Sequence, residues 1–333
     1  MSYFEELFNY YSNIKRTALY DWVAVGDMSF LELLNHKENY SILLNNLGTT
    51  LDIHSIPNKG NYREKNVKIS KGLNFAHNRN LYNNEFSKNS NFIIELRKIF
   101  NNNCKHINEE FISIPPCLNL PGLEFNNKIT PINFYRQGIQ FDYIIENILS
   151  IFSNINIILE IGAGLGTMAH FLKKYNKKKK YIILDIPHVL LIQYHFLKTL
   201  GYNVLLLEEE MATDINNIIL NSNFDILLIL PHHISKIKDN CIDLVLNFDS
   251  LVEMNKTTIE TYIDNIFRIS KYFYTVNKKY LEWNFMKNKF DKLNNDKKIK
   301  ILKEEKQVFG TGSKYWFHIA LSEGYSSFLI EKV

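Results

Sequence analysis

The chain has 333 residues, 46% hydrophobic and 22% charged, with 39 basic against 35 acidic side chains and a net charge of +4. That composition belongs to a globular protein with a sizeable core, and the charge is too evenly balanced for a nucleic-acid footprint, which needs a concentrated basic face. Three cysteines, Cys104, Cys117 and Cys241, lack metal-ligand spacing and fit free thiols in a reducing compartment. With no secretory leader and no run of 18 apolar residues, a cytoplasmic protein without a membrane span is expected.

Residues 1–130 read as an α-rich N-terminal cap, a region for acceptor binding or oligomerisation. Helical patterning appears at 3–20, 29–47 and 91–101, between polar stretches such as "NKGNYREKNVK" and "NRNLYNNEFSKNS" that are full of turn formers. "SIPPCLNLPG" (113–122) reads as an extended connector. A second domain is expected over 131–333. It starts with a helical segment, "NFYRQGIQFDYIIENILSIF". Six apolar runs follow as strand candidates: "INIILEIG", "YIILDI", "NVLLLEE", "DILLIL", "CIDLVLNF" and "YFYTVNK". Helix candidates at 165–175, 188–200, 211–221 and 256–270 alternate with them, which argues for a mostly parallel sheet covered on both faces. "KKIKILKEEKQV" and "YWFHIALSEG" are expected to pair antiparallel and close one sheet edge. The stretch 201–246 offers one strand too many for the simplest doubly wound order, and either "NVLLLEE" or "DILLIL" is the third strand. The run Lys177–Lys180 reads as a solvated loop.

"ILEIGAGLG" (158–166) ends a strand in alternating glycines, Gly162, Gly164 and Gly166, which let backbone approach a ligand closely. A triphosphate loop needs a Gly-Lys-Ser/Thr ending, absent from Gly166-Thr167-Met168. The dinucleotide register G-x-G-x-x-G is also missed, because position 167 is Thr. Glu160 ahead of the loop would repel a pyrophosphate and welcome an ammonium, which favours S-adenosylmethionine as cofactor. Asp185, ending the next strand, suits ribose hydroxyls in either case; its alternative role is an N-cap for the following helix.

"DLVLNFDSLVEM" (243–254) is a strand that turns polar at Asn247, Asp249, Ser250 and Glu253. It lacks the proline-containing element of enzymes that methylate exocyclic amines, which leaves hydroxyl methylation. That reaction needs in-line positioning and a base within hydrogen-bond reach of the hydroxyl. The candidates are His232, His233, Asp249 and Glu253. The histidines could instead flank adenine, and Glu253 could instead stabilise the next helix. His170 reads as packing. No dedicated metal cluster stands out, although Asp249 with Glu253 could contribute to a Mg²⁺ site.

The ordered set "YRQGIQFDYII" (135–145), "LEIGAGLG" (159–166), "YIILDIP" (181–187), "DLVLNFDSLVEM" (243–254) and "YFYTVNKK" (272–279) resembles the sugar O-methyltransferase family, over roughly residues 134–280. The resemblance implies a Rossmann-like class I methyltransferase sheet, α/β and mostly parallel with an antiparallel edge. It implies a sugar or glycan acceptor in polysaccharide or surface-glycan biosynthesis. Carried over by position, Glu160, Gly162, Ala163, Gly164, Gly166, Asp185 and Ile186 correspond to cofactor positions. Arg136 and Gln137 correspond to a polar pair for the donor carboxylate or the acceptor, and Asn247, Ser250 and Glu253 to the polar strand end. His188 stands where an acid is expected, and His232-His233 where an aromatic is expected. Two other classes stay open: an NAD-dependent sugar-nucleotide oxidoreductase, which the glycine register at 162–167 argues against, and a non-catalytic nucleotide-fold binding partner. Homo-oligomerisation stays open too, since exposed aromatics serve sugar stacking and subunit contacts alike.

Overall fold

The computed structural model describes residues 90–117, 123–150, 152, 154–279, 282–309 and 321–333. The helices expected at 3–20 and 29–47 lie outside the described residues. Those described fall into two compact units, one ending at Phe152 and one comprising 154–309 with 321–333. The segment 131–152 therefore groups with the residues before it, whereas the sequence patterning puts a boundary at 130/131.

In the first unit, α1 (Ser90–Asn103), α2 (Glu109–Ile112), the hairpin β1 (Leu123–Phe125) and β2 (Lys128–Thr130), and α3 (Ile132–Ile144) follow in order. Helix α1 is the one expected at 91–101. The hairpin was not expected; its turn is Asn126-Asn127, both at positive φ (48° and 60°), the left-handed geometry that asparagine tolerates in two-residue hairpins. Gly138 of α3 has a packing role, because a Cβ there would meet Phe100 at 2.8 Å and Ile112 at 2.9 Å. The buried Asp142 carboxylate accepts the backbone N–H groups of Lys105, His106 and Ile107 at 3.0, 2.7 and 3.0 Å, which ties the loop after α1 to α3. Arg97 grips Glu109 through Nε and Nη2, and Tyr135 Oη donates to the same carboxylate.

The second unit holds one eight-stranded sheet. Its strands are β3 (Ile157–Ile161), β4 (Lys180–Leu184), β5 (Val204–Leu206), β6 (Ile226–Ile229), β7 (Ile242–Phe248), β8 (Ser270–Lys278), β9 (Ile299–Phe309) and β10 (Leu321–Lys332), in the order β5-β6-β4-β3-β7-β8-β10-β9. All pairings from β5 to β8 are parallel, and β10 runs antiparallel to both β8 and β9. The expected mixed α/β sheet is thus observed, with two refinements. "DILLIL" is the strand beside β4, and the strand inside "NVLLLEE" lies outside it at the edge. The reversed strand is described from Leu321 and sits between β8 and β9, and residues 315–320 of "YWFHIALSEG" lie outside the described residues.

Helices α4 (Thr167–Tyr175), α5 (Pro187–Thr199), α6 (Ile215–Asn221), α7 (Lys256–Ile269) and α8 (Trp283–Asn295) complete the unit. Strand residues are buried on both faces, as a parallel sheet flanked by helices demands. One face carries Leu159, Ile182, Leu227, Val245 and Phe273 in a cluster with Ile219 of α6, Ile263 of α7 and Phe290 of α8. Each such Leu, Ile or Phe contributes about 1.5–3 kcal/mol of burial. Alternate residues, among them Ile158, Glu160, Tyr181 and Ile183, point to the opposite face and are buried too. Helix α8 was not expected. Its sequence is strongly polar, and what anchors it is Trp283 stacked on Phe328 at 5.6 Å. Lys177 and Lys178 are exposed as expected, but Lys180 donates to the carbonyls of Ile219 and Leu220 at 2.8 Å, stitching β4 to α6. No described helix is long and apolar enough to cross a membrane.

Candidate functional site

Strand β3 lies where the chain order reverses, with β4 on one side and β7 on the other. In open α/β sheets the crevice at the carboxyl end of such a strand is where ligands bind. Gly162, Gly164 and Gly166 occupy it with φ of +70°, +56° and +85°, conformations that cost other residues about 1–2 kcal/mol each. Their surroundings differ. A Cβ on Gly162 would sit 2.3 Å from Ser250 Oγ, and one on Gly166 would sit 3.2 Å from Leu197. A Cβ on Gly164 would meet nothing within 4 Å. Gly162 and Gly166 are therefore glycines because of the protein's own packing, whereas Gly164 faces open space.

Asp185 follows β4 and braces this loop. Its Oδ2 accepts from Ala163 N–H at 3.0 Å and from Gln193 Nε2 at 2.7 Å, and its Oδ1 accepts from Ile186 N–H at 2.8 Å. Gln193 also donates to Gly164 O at 2.9 Å. Asp185 is not the N-cap of α5; that position is Ile186, without a side-chain cap, and the helix starts at Pro187, which lacks an N–H to satisfy. Burial pushes Asp185 up to about 7 against those hydrogen bonds. Gln193 escaped the sequence patterning; its only signal is a polar residue in the otherwise apolar "VLLIQYHFL".

Glu160 is the penultimate residue of β3, two residues before Gly162. It is 3% exposed, and Tyr181 Oη donates to its Oε2 at 2.8 Å. Burial, aided by the nearby Asp185 and opposed by the Tyr181 hydrogen bond, pushes it up to about 8. Burial thus favours the protonated carboxyl, which weakens the charge argument drawn from sequence. A neutral carboxyl neither repels phosphate nor attracts ammonium.

The polar end of β7 docks on the start of the loop. Asn247 Nδ2 and Ser250 Oγ both donate to Ile161 O at 3.0 Å. Thr275 and Asn277 of β8 donate to Asn247 Oδ1 at 3.2 and 3.0 Å. These two β8 residues, buried and polar at alternate positions, were not singled out in the sequence. Between Asn247 and Ser250, Asp249 has φ of +63°, an uncommon conformation for a side-chain-bearing residue that concentrates at functional sites. Glu253 ends a short 3₁₀ turn, and the next helix is capped instead by Asn255, whose side chain accepts from Thr258 N–H at 2.9 Å. Buried Thr167 Oγ1, Gln193 Oε1 and Asn277 Oδ1 have no hydrogen-bond partner. Unsatisfied groups of this kind are costly without water or ligand.

His232 and His233 follow β6, which β4 separates from β3. The structure brings them to Glu209: His232 Nε2 lies 2.5 Å and His233 Nε2 3.3 Å from Glu209 Oε1. Burial, with His232 alongside, lowers His233 to about 4, so that ring is neutral at pH 7. His170 is buried against Tyr202 Oη at 2.7 Å, in line with packing. Arg136 and Gln137 lie on α3 in the first unit. Cys104, Cys117 and Cys241 are free.

No family model and no curated protein matches this chain. Similar solved structures include M. capricolum TrmK in complex with S-adenosyl-homocysteine, 15% identical with a TM-score of 0.35 over 57% of this chain and 67% of that one. A SAM dependent methyltransferase from Aquifex aeolicus is 15% identical with a TM-score of 0.35, covering 56% of this chain and 89% of that one. The structure described as StiE O-MT is 13% identical with a TM-score of 0.39, over 59% and 74% of the two chains. At these identities and scores the likeness assigns no activity to this chain.

Proposed function

We propose that this chain is an S-adenosylmethionine-dependent O-methyltransferase acting on a hydroxyl of a sugar, nucleotide-linked or glycan-attached, in polysaccharide or surface-glycan biosynthesis. The observation that carries the cofactor class is the loop at the switch point. Gly164 offers backbone with open space where a side chain would stand, Asp185 ends the neighbouring strand, and Thr167 Oγ1 and Gln193 Oε1 are buried without partners. The backbone of Gly162, Ala163, Gly164 and Gly166 would line the donor. Asp185 with Ile186 would serve its ribose and adenine, and Asn247 and Ser250 hold the loop to which it binds. The roles of Arg136 and Gln137, residues of the first unit, rest on the resemblance alone.

S-adenosylmethionine supplies an electrophilic methyl carbon on a sulfonium. The protein's own part is to align a hydroxyl and remove its proton. Asp249 and Glu253 follow β7, the neighbour of β3, whereas His232 and His233 follow β6. Strand order therefore favours an acid from the β7 end as the base. The sugar class rests on the ordered resemblance of five segments and on a β7 end without proline.

Isothermal titration tests the first half. The wild-type chain should bind S-adenosylmethionine and S-adenosylhomocysteine but not NAD, and Gly164→Asp should abolish binding while leaving the fold intact. NAD binding, or unchanged affinity in Gly164→Asp, would overturn the cofactor assignment. Methyl transfer from labelled donor to a nucleotide sugar or glycan extract tests the second half.

A further inference from the structure

We infer that Glu209, His232 and His233 form a binding site for a divalent cation of the zinc class. Neighbouring residues of a 3₁₀ helix are about 120° apart around its axis, so consecutive side chains ordinarily diverge. Within the 3₁₀ turn Pro231–Lys236, the two rings instead converge, with centroids 4.3 Å apart. Both Nε2 atoms face the same Glu209 oxygen, at 2.5 and 3.3 Å. One ligand atom from each of the three residues lies within 4.8 Å of the others, and among the described residues this is the only such group. His233 Nε2 is fully buried, aimed into the cluster, and makes no hydrogen bond there.

The donor set selects the ion. Two imidazoles and one carboxylate suit Zn²⁺ and its first-row neighbours, whereas Mg²⁺ and Ca²⁺ prefer all-oxygen shells. The side chains of His232 and Glu209 are 22% and 45% exposed, so water or a ligand oxygen can complete the shell. Two features oppose the ion. Lys236 Nζ stands 3.8 Å from the other Glu209 oxygen, although Glu208 and Glu210 flank it with two exposed carboxylates. Leu230 N–H approaches His233 Nδ1 at 3.3 Å. Ligation through Nε2 places the ring proton on Nδ1, so this long contact must open as the ion enters. The site lies at the end of β6, two strands from β3. An ion there would occupy both histidines and leave Asp249 and Glu253 as the candidate bases.

The test uses the full, untagged chain, stripped with a chelator and titrated with Co²⁺, then Zn²⁺, with Mg²⁺ as comparison. One equivalent of Co²⁺ should bind with visible absorption bands, Zn²⁺ should displace it, and Zn²⁺ but not Mg²⁺ should raise the thermal midpoint. Glu209→Gln and the double variant Glu209→Gln/His232→Asn alter partly exposed side chains, and their metal-free midpoints check that they fold. They should weaken Zn²⁺ by roughly tenfold or more. Absence of stoichiometric Co²⁺ or Zn²⁺ binding overturns the site, as does full affinity in the folded double variant or a response to Mg²⁺ alone. No readout uses methyl transfer, so failure of the proposed activity and failure of this site are separable.

Discussion

Replacing Glu160 by Gln should remove a pH dependence that the folded state carries through the neutral range. Burial, helped by the nearby Asp185, pushes Glu160 up to about 8, although Tyr181 donates to it. Because this pKa is raised above the ordinary 4.5, the native protein holds a proton that the unfolded chain releases. Its contribution to stability is fully present below about pH 4.5 and is lost as pH rises through about 8. With one pKa unit equal to about 1.4 kcal/mol, keeping this group in the fold costs about 3 kcal/mol at pH 7 and under about 1 kcal/mol at pH 5. Gln keeps an acceptor for Tyr181 and has no proton to lose, and any cost of its buried N–H groups is the same at every pH. Urea unfolding of both proteins at pH 5, 6 and 7 reads the effect. The unfolding free energy of the variant minus that of wild type should grow by about 2–3 kcal/mol from pH 5 to 7. Asp185 and His170 titrate in both proteins and largely cancel. Parallel curves would show that Glu160 is solvated or ionised in the native state and would refute the reasoning.

Gly162→Ala should destabilise the fold by roughly 1–3 kcal/mol in the same assay, since its φ is +70° and the new Cβ would lie 2.3 Å from Ser250 Oγ. Wild-type stability in that variant would mean that the Ile161–Ser250 junction is loose. His170 is lowered to about 3, chiefly by burial, so its contribution to stability is present above about pH 6.5 and is lost as pH falls toward 3. His170→Gln should therefore unfold at a lower pH than wild type in an acid titration followed by circular dichroism, and an unchanged midpoint would place the acid sensitivity elsewhere.

Much of the second unit was legible because its signals are local. Apolar runs of four to eight residues alternating with amphipathic segments specify a parallel sheet, and glycines at 162, 164 and 166 mark a loop with left-handed backbone. Helix α8 and the β1–β2 hairpin were not legible in the same way. The first is held by Trp283 and Phe328, far apart in sequence, and the second rests on an Asn-Asn turn without the usual glycine.

The sequence by itself determined the strand–loop–helix register, the residue types around it, and the exclusion of a triphosphate loop. Strand order, charge state and pairing belonged to the tertiary structure. Only the sheet shows that "DILLIL" sits beside β4, because pairing partners are not encoded in periodicity. Only burial pushes the Glu160 carboxyl upward, to about 8, since desolvation depends on what packs around a group. Only the fold brings Glu209 to His232 and His233 across some 23 residues. Convergence of that kind is a property of three-dimensional distance, and linear spacing carries no trace of it.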